Sequence, residues 1–309
     1  MSDANAEQTV FLTLVRTPGE RACARVLVDS IRAFGGALSS CPIWIYDGGP
    51  REIAGDSLAG PGVQVLPLCV PDTVRGYAYA AKVTACAQAE ECVRAQAEER
   101  AAAGVRSLTW IDPVCLIVRP PVLFDLGPSF DAAVRPVHIQ NVGLAPQQPL
   151  DPFWRAIYAA VGVQDVRTTV ETFVEGRRIR SYFNSHAFAV NPARGLFGRW
   201  FEDFETLVGD RAVQERACRD TLHQVFLHSA LLSALLATQL DPGRVRLLPP
   251  DYSYPYNLHH SVPPERRAVA LNDLVSVAYE KRSLDPALVD DIIIREPLRS
   301  WLAARAARC

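Results

Sequence analysis

The stretch 108–121, Leu-Thr-Trp-Ile-Asp-Pro-Val-Cys-Leu-Ile-Val-Arg-Pro-Pro, limits what this chain can fold into more than any other. An apolar run at 108–111 leads into a lone acid, Asp112, and a second run at 116–118 closes against Pro120-Pro121. Short apolar runs stopped by turn residues have the pattern of buried strands. A carboxylate between two such runs lies at a strand end, where open α/β sheets place their ligands.

The flanking chain supplies the rest of such a sheet. Residues 10–15 (Val-Phe-Leu-Thr-Leu-Val), 42–46 and 63–68 read as strands, with a helix over 20–34 that ends at Gly35-Gly36. A β-α-β-loop-β opening implies a parallel sheet with right-handed crossovers. One long helix or two is expected over 76–103, with a solvated charged face at 94–100, and 108–111 is the fourth strand. Beyond it the pattern predicts a strand at 130–137, a loop at 138–152, a short helix at 153–161 and a hairpin at 170–179 turning near Gly176. A strand at 182–190 would carry Asn184-Ser185-His186 at its centre. Helices at 193–208, the first capped by Asn191-Pro192, and at 217–239 follow. The remainder predicts a strand at 245–248, an aromatic loop at 252–260, a last short strand at 269–271 and a terminal helix at 297–308. No repeat and no Gly/Ser linker divides the chain, so one α/β domain over 1–309 is expected.

Composition narrows the function classes. With 309 residues, 49% hydrophobic and 21% charged, the chain can bury a sizeable core. A net charge of −2 without a basic block argues against a nucleic-acid partner. The longest apolar segment, 229–240, is too short to span a bilayer and reads as a core helix, so no transmembrane segment is expected. The eight cysteines form no CxxC pair, which argues against zinc-ribbon and redox motifs. Residues 1–8 are polar, with no leader pattern, and scattered thiols suit a reducing cytoplasm; Cys309 is a terminal thiol on an expected loose end.

Several side chains could carry chemistry. Asp112 either holds a ligand or serves as a turn acid. Lys82, on an apolar helix face, reaches a phosphate as a point charge or runs its stem over the core. Asn184 and Ser185, inside an apolar strand, need hydrogen-bond partners, from sugar hydroxyls or from a neighbouring loop. His186 and the pair His223-Gln224 stand in apolar settings where a histidine is commonly a satisfied core residue. Arg135, between Val134 and Pro136, wants an anion, either phosphate or carboxylate. His259-His260 would need a further ligand to hold a metal.

The order of these pieces, over roughly 10–271, resembles the GT-A glycosyltransferases of the glycogenin and lipopolysaccharide galactosyltransferase group. The resemblance implies a mixed, mainly parallel sheet flanked by helices, with a nucleotide-binding half at 9–125 and a sugar and acceptor half at 126–309. It matches 14–18, with Thr17, to the turn that holds the base, Lys82 to a donor-contacting helix lysine, and 110–114 to the metal-binding Asp-X-Asp strand. It further matches Tyr182-Phe183-Asn184-Ser185-His186 to a strand that binds the donor sugar, and His223-Gln224 to an Asp-Gln pair near the reacting carbon. Asp47 would lie beside the nucleotide. The implied partners are a nucleotide-sugar donor, first of all a UDP-sugar, and an acceptor the sequence does not identify; retention of the anomeric configuration is implied as well.

This sequence departs from the family at four places. Val114 replaces the second acid of Asp-X-Asp, His186 a small glycine, His223 the acid of Asp-Gln, and Asn272-Asp273 a C-terminal metal-ligand histidine. Valine offers no lone pair to a metal. No metal ligand is therefore assigned, and Mg²⁺ or Mn²⁺ is disfavoured as cofactor. Three outcomes stay open: a metal-independent transferase in which Lys82, Arg135 or a histidine stabilises the diphosphate leaving group in place of the ion, with Asp112, His223 and Gln224 at the reacting centre; a non-catalytic binding or scaffold protein; or a fold redirected to another reaction.

Overall fold

The computed structural model describes residues 8–49, 58–100 and 104–305. Residues 1–7, Cys309 and 101–103, where the long helix was expected to end, lie outside them. The main sheet has seven strands. In chain order these are β1 (Thr9–Val15), β2 (Ile43–Asp47), β3 (Val63–Pro67), β4 (Ser107–Ile111), β6 (Ala132–Val134), β9 (Ala187–Val190) and β10 (Val245–Leu247). Side by side they run β10-β6-β9-β4-β1-β2-β3, and all pairs are parallel except those made by β9. A second sheet joins β5 (Cys115–Ile117), β12 (Ser276–Ala278) and β11 (Tyr254–Pro255), while β7 (Thr169–Glu171) and β8 (Arg178–Arg180) form the hairpin.

The alternation of side chains along β1 sets the layers. Val10, Leu12 and Leu14 face one core with Trp110 of β4, closed by α2 (Ala80–Arg100), α3 (Pro152–Ala160), α4 (Leu196–Gly209) and α6 (Thr221–Gln239). Phe11 and Val15 face the other core, closed by Ala24, Leu27 and Ile31 of α1 (Pro18–Phe34). A third cluster joins β5, β11 and β12 to the C-terminal segment and α7 (Leu298–Ala303). Both faces of β1 and β4 are thus covered, which explains why their sequences are largely apolar and every residue is buried. Among the described residues α6 is the one helix long and apolar enough to cross a bilayer, and its residues 227–236 are buried in the protein core.

Several expected elements come out differently, among them the helix expected at 193–208: Asn191 caps only a 3₁₀ turn at 192–194, and α4 starts at Leu196 after Gly195. The strand expected at 182–190 shrinks to β9, because the Asn184 side chain takes the backbone N–H of His186 at 2.7 Å and turns the chain. The helix expected at 217–239 is α6, which starts at Thr221 where the Asp220 carboxylate caps the N–H of His223, and a further short helix, α5 (Arg211–Ala217), precedes it. The last strand is 276–278 rather than 269–271, which makes only a bridge from Ala270 to Ile293. The aromatic segment 252–260 contains β11 and a run of 3₁₀ helix.

Three connections bring the site together. Strand β9 runs against β4 with Ala187 opposite Ile111, so Asp112 meets the turn before β9 and its N–H donates to the His186 carbonyl at 2.7 Å. Tyr79 enters α2 in the left-handed region, φ 61°, an uncommon conformation for a bulky residue, and so aims its ring at the same place. From the far end of the chain, β12 pairs antiparallel with β5, and the N–H of Tyr279 donates to the Val114 carbonyl at 3.0 Å.

Candidate active site

A cavity of about 630 Å³ opens over the C-terminal ends of β1 and β4. Its wall combines Asp112 and Lys82, the turn 184–186, one side of α6, and Glu280-Lys281 after β12. This volume falls in the range of small-molecule sites.

Lys82 organises the floor. Its ammonium is 2.7 Å from Oδ1 and 3.0 Å from Oδ2 of Asp112, and it donates to the Ser185 carbonyl at 3.0 Å. The rings of Tyr79 and Trp110 lie 5.0 and 5.4 Å from the ammonium, within cation–π range. Trp110 also donates its indole N–H to Asp112 Oδ1 at 2.7 Å. Asp112 therefore has both oxygens engaged inside the protein.

Around this floor the other charges pair up. Arg16 holds Glu20 at 2.6 Å, which raises the guanidinium pKa, and His186 Nε2 lies 3.3 Å from Glu280. Lys281, exposed at the mouth, has no carboxylate partner among the described residues. His228 of α6 is buried; burial, then Lys82, hold its pKa well below the ordinary histidine value. Its ring stacks on Tyr79 with centroids 4.0 Å apart, and its Nε2 is 2.9 Å from the Ser185 hydroxyl.

Of the residues singled out in the sequence, Asp112, Lys82, Asn184, Ser185 and His186 line this one cavity. The others do not line it, His259 and His260 included. Thr17 caps α1 by accepting the N–H of Glu20 at 3.1 Å, and Asp47 pairs with Arg21. His223 binds Asp220 at 2.8 Å and packs on Phe153, and Gln224 donates to the Cys218 carbonyl at 3.0 Å. Arg135 lies in a separate depression, over the Phe173 ring at 4.7 Å. Tyr79, His228, Glu280 and Lys281 had not been picked out. For His228 a signal existed: Ser229 and Ser233 stand four apart on the same apolar helix, and both bond the lead into β9.

The family resemblance implies a divalent cation at the Asp-X-Asp turn. The donor set here does not fit one. Such an ion needs several free oxygen ligands, whereas the Asp112 oxygens are held by ammonium and indole and Val114 has no donor atom. Among the described residues no group of three or more His, Cys, Asp or Glu side chains could hold a metal ion.

No family model matches the chain, and no curated protein matches it in sequence. In three dimensions it is similar to a galactosyltransferase, LgtC, solved in complex with donor and acceptor sugar analogues. The TM-score is 0.51 at 12% identity, over 96% of this chain and 94% of that one. Mouse xyloside xylosyltransferase 1, apo form, gives a TM-score of 0.44 at 14% identity, over 80% of this chain and 87% of that one. The first likeness establishes the architecture: the chain has the GT-A glycosyltransferase fold.

Proposed function

We propose that this chain transfers a sugar from a nucleoside diphosphate donor to an acceptor without a divalent cation. The observation that carries the proposal is the Lys82–Asp112 pair at the end of β4, with N–O distances of 2.7 and 3.0 Å. It fills the place where the fold's relatives are expected to hold a metal with a neutral pair, which leaves the exposed Lys281 as the cation that meets the phosphates. A cation beside a departing phosphate stabilises the charge that develops there. The shared fold with a galactosyltransferase supports the reaction class. In this reading the diphosphate lies over the ends of β1 and β4. Lys281, the unpaired cation at the mouth, draws it in. The Asn184 amide nitrogen, whose oxygen is held by His186, donates to a sugar hydroxyl. UDP is the first nucleotide to try.

Because Asp112 keeps no free oxygen, a protein that binds a nucleotide sugar without transferring it is the second reading. Calorimetric titration with UDP and other nucleoside diphosphates, once with Mn²⁺ and once with EDTA, tests both. Equal affinity in the two conditions is expected, and Lys281→Ala should weaken binding about tenfold, or ~1.4 kcal/mol. If no nucleotide binds in either condition, both readings fail. Binding that appears only with Mn²⁺ would remove the metal-free part. Release of free nucleotide from a bound nucleotide sugar separates transferase from binding protein.

A further inference from the structure

Arg135 is buried, and packing gives its charge no counter-ion. Its Nε and Nη2 have no hydrogen-bond partner among the described residues, and Nη1 reaches only the Leu248 carbonyl, at a long 3.4 Å. Asp251, the carboxylate whose field reaches it, lies 3.8 Å from another cation, Arg119. The backbone here is tied on the side of the sugar cavity: the Arg135 carbonyl accepts the Asn184 N–H at 2.8 Å, and Pro136 bridges to Phe183. A shift of the strand therefore does not carry the charge out to water. A trapped water would satisfy donors without neutralising the ion, and an uncompensated buried ion is costly.

Arg135 forms part of the wall of a depression of about 510 Å³, a size that suits a small molecule. None of its wall residues lines the larger cavity. The Phe173 ring lies 4.7 Å from the guanidinium, and Pro136 and Pro250 continue the apolar wall. At the rim Arg266 is taken by Glu171 at 2.8 Å, and Glu265 adds a second, exposed carboxylate. The rim is thus net negative, while the interior holds a cation that lacks its anion. These charges choose among anions. The guanidinium fork accepts carboxylate and phosphate alike. A phosphate dianion must bring two charges past the rim carboxylates, whereas a carboxylate brings one and balances Arg135. The apolar wall calls for a hydrocarbon body behind the acid group.

We propose that the Arg135 depression is a binding site for a small monocarboxylic acid with an apolar or aromatic body. A turn of the guanidinium about its last side-chain bonds gives up one long contact, to Leu248, and presents the unused Nε and Nη2 edge to the carboxylate. The site is separate from the nucleotide-sugar cavity, and the inference does not rest on the transferase reading.

The test is a titration of the full chain with benzoate, benzamide and inorganic phosphate. It is followed by NMR at the Arg135 Nε–H, identified by its loss in Arg135→Met, and at the Phe173 backbone N–H. Benzoate is expected to shift both saturably. Benzamide, which has the same shape without the charge, and phosphate should each bind at least about tenfold more weakly. Arg135→Met removes donors that the fold leaves unused, and should lose at least about tenfold in benzoate affinity at the Phe173 probe. Arg135→Gln serves if the first variant does not fold. Glu265→Gln should tighten phosphate more than benzoate. No saturable shift with benzoate, equal affinity for benzamide, or undiminished benzoate affinity in a folded Arg135 variant overturns the proposal. Phosphate binding more tightly than benzoate overturns the choice of a carboxylate. Nucleotide calorimetry reports on the other cavity and decides the transferase reading separately.

Discussion

Lys82 and Arg135 are both buried, 2% and 4% exposed, yet the protein treats them in opposite ways. Lys82 has a carboxylate at 2.7 Å, a carbonyl and two aromatic faces. Arg135 has the Phe173 face and one long contact to the Leu248 carbonyl at 3.4 Å; its Nε and Nη2 have no hydrogen-bond partner among the described residues. Burial pushes the Arg135 pKa down to about 10, opposed only by the more distant Asp251, so it remains charged at neutral pH. Each cation also borders a buried histidine, His228 beside Lys82 and His138 beside Arg135, and each lowers that histidine's pKa in addition to burial. The difference teaches where a polar core has been built and where one is merely tolerated. A buried ion with its counter-ion forms a rigid unit that can orient neighbours. A buried ion without one is a liability that packing has to offset.

The widest separation between the two should appear on deletion. Lys82→Met or Asp112→Asn leaves the partner buried and unpaired and should cost about 3–5 kcal/mol of unfolding free energy in urea. The double replacement Lys82→Met with Asp112→Leu should recover most of that loss. A single-variant cost below about 1 kcal/mol would remove the distinction. Arg135→Met should lie at the other end, within about 1 kcal/mol of the parent or more stable, since it removes donors that have no acceptors. A cost as large as that of Lys82→Met would mean the guanidinium has an unrecognised counter-ion.

Acid titration sharpens the comparison further. Both histidines are neutral in the folded chain, with pKa values below the ordinary 6.5. Below about pH 6.5 the unfolded chain binds protons that the folded chain refuses, so stability falls as pH falls. Each histidine contributes a slope of up to about 1.4 kcal/mol per pH unit. His228→Gln and His138→Gln should each flatten the acid limb by one such step. An unchanged slope in either would show that the ring is protonated in the fold, against the field of its neighbouring cation.

The same contrast marks what could be read from the sequence. The strands at 10–15, 42–46 and 108–111 were legible because both faces are covered and their residues are mostly apolar. Asp112, Lys82 and 184–186 were legible as candidates, since polar groups inside apolar runs demand partners. That Lys82 and Asp112 are partners of each other was not, because it depends on how α2 lies across β4. Arg135 looked equally purposeful in sequence; only packing revealed that its surroundings are an aromatic ring rather than an acid. His228 escaped notice because the more conspicuous His223-Gln224 precedes it, and the Asp220 cap turns that pair away from the cavity. The final strand was placed on the more hydrophobic 269–271, although Val269 is 66% exposed; burial of 276–278 is set by its pairing with β5, a contact far away along the chain.

That pairing carries a consequence for synthesis. Strand β5 emerges early, directly behind Asp112, but its partner β12 arrives only near the end of the chain. Nascent protein can thus assemble the parallel strands, α2 and the ion pair while the second sheet still lacks its middle strand. The mouth of the cavity, with Glu280 and Lys281, closes last, so polypeptide still on the ribosome has a floor for the ligand but not the cation that would recruit it. On the transferase reading, a chain released short of β12 keeps the floor of the site and lacks its mouth.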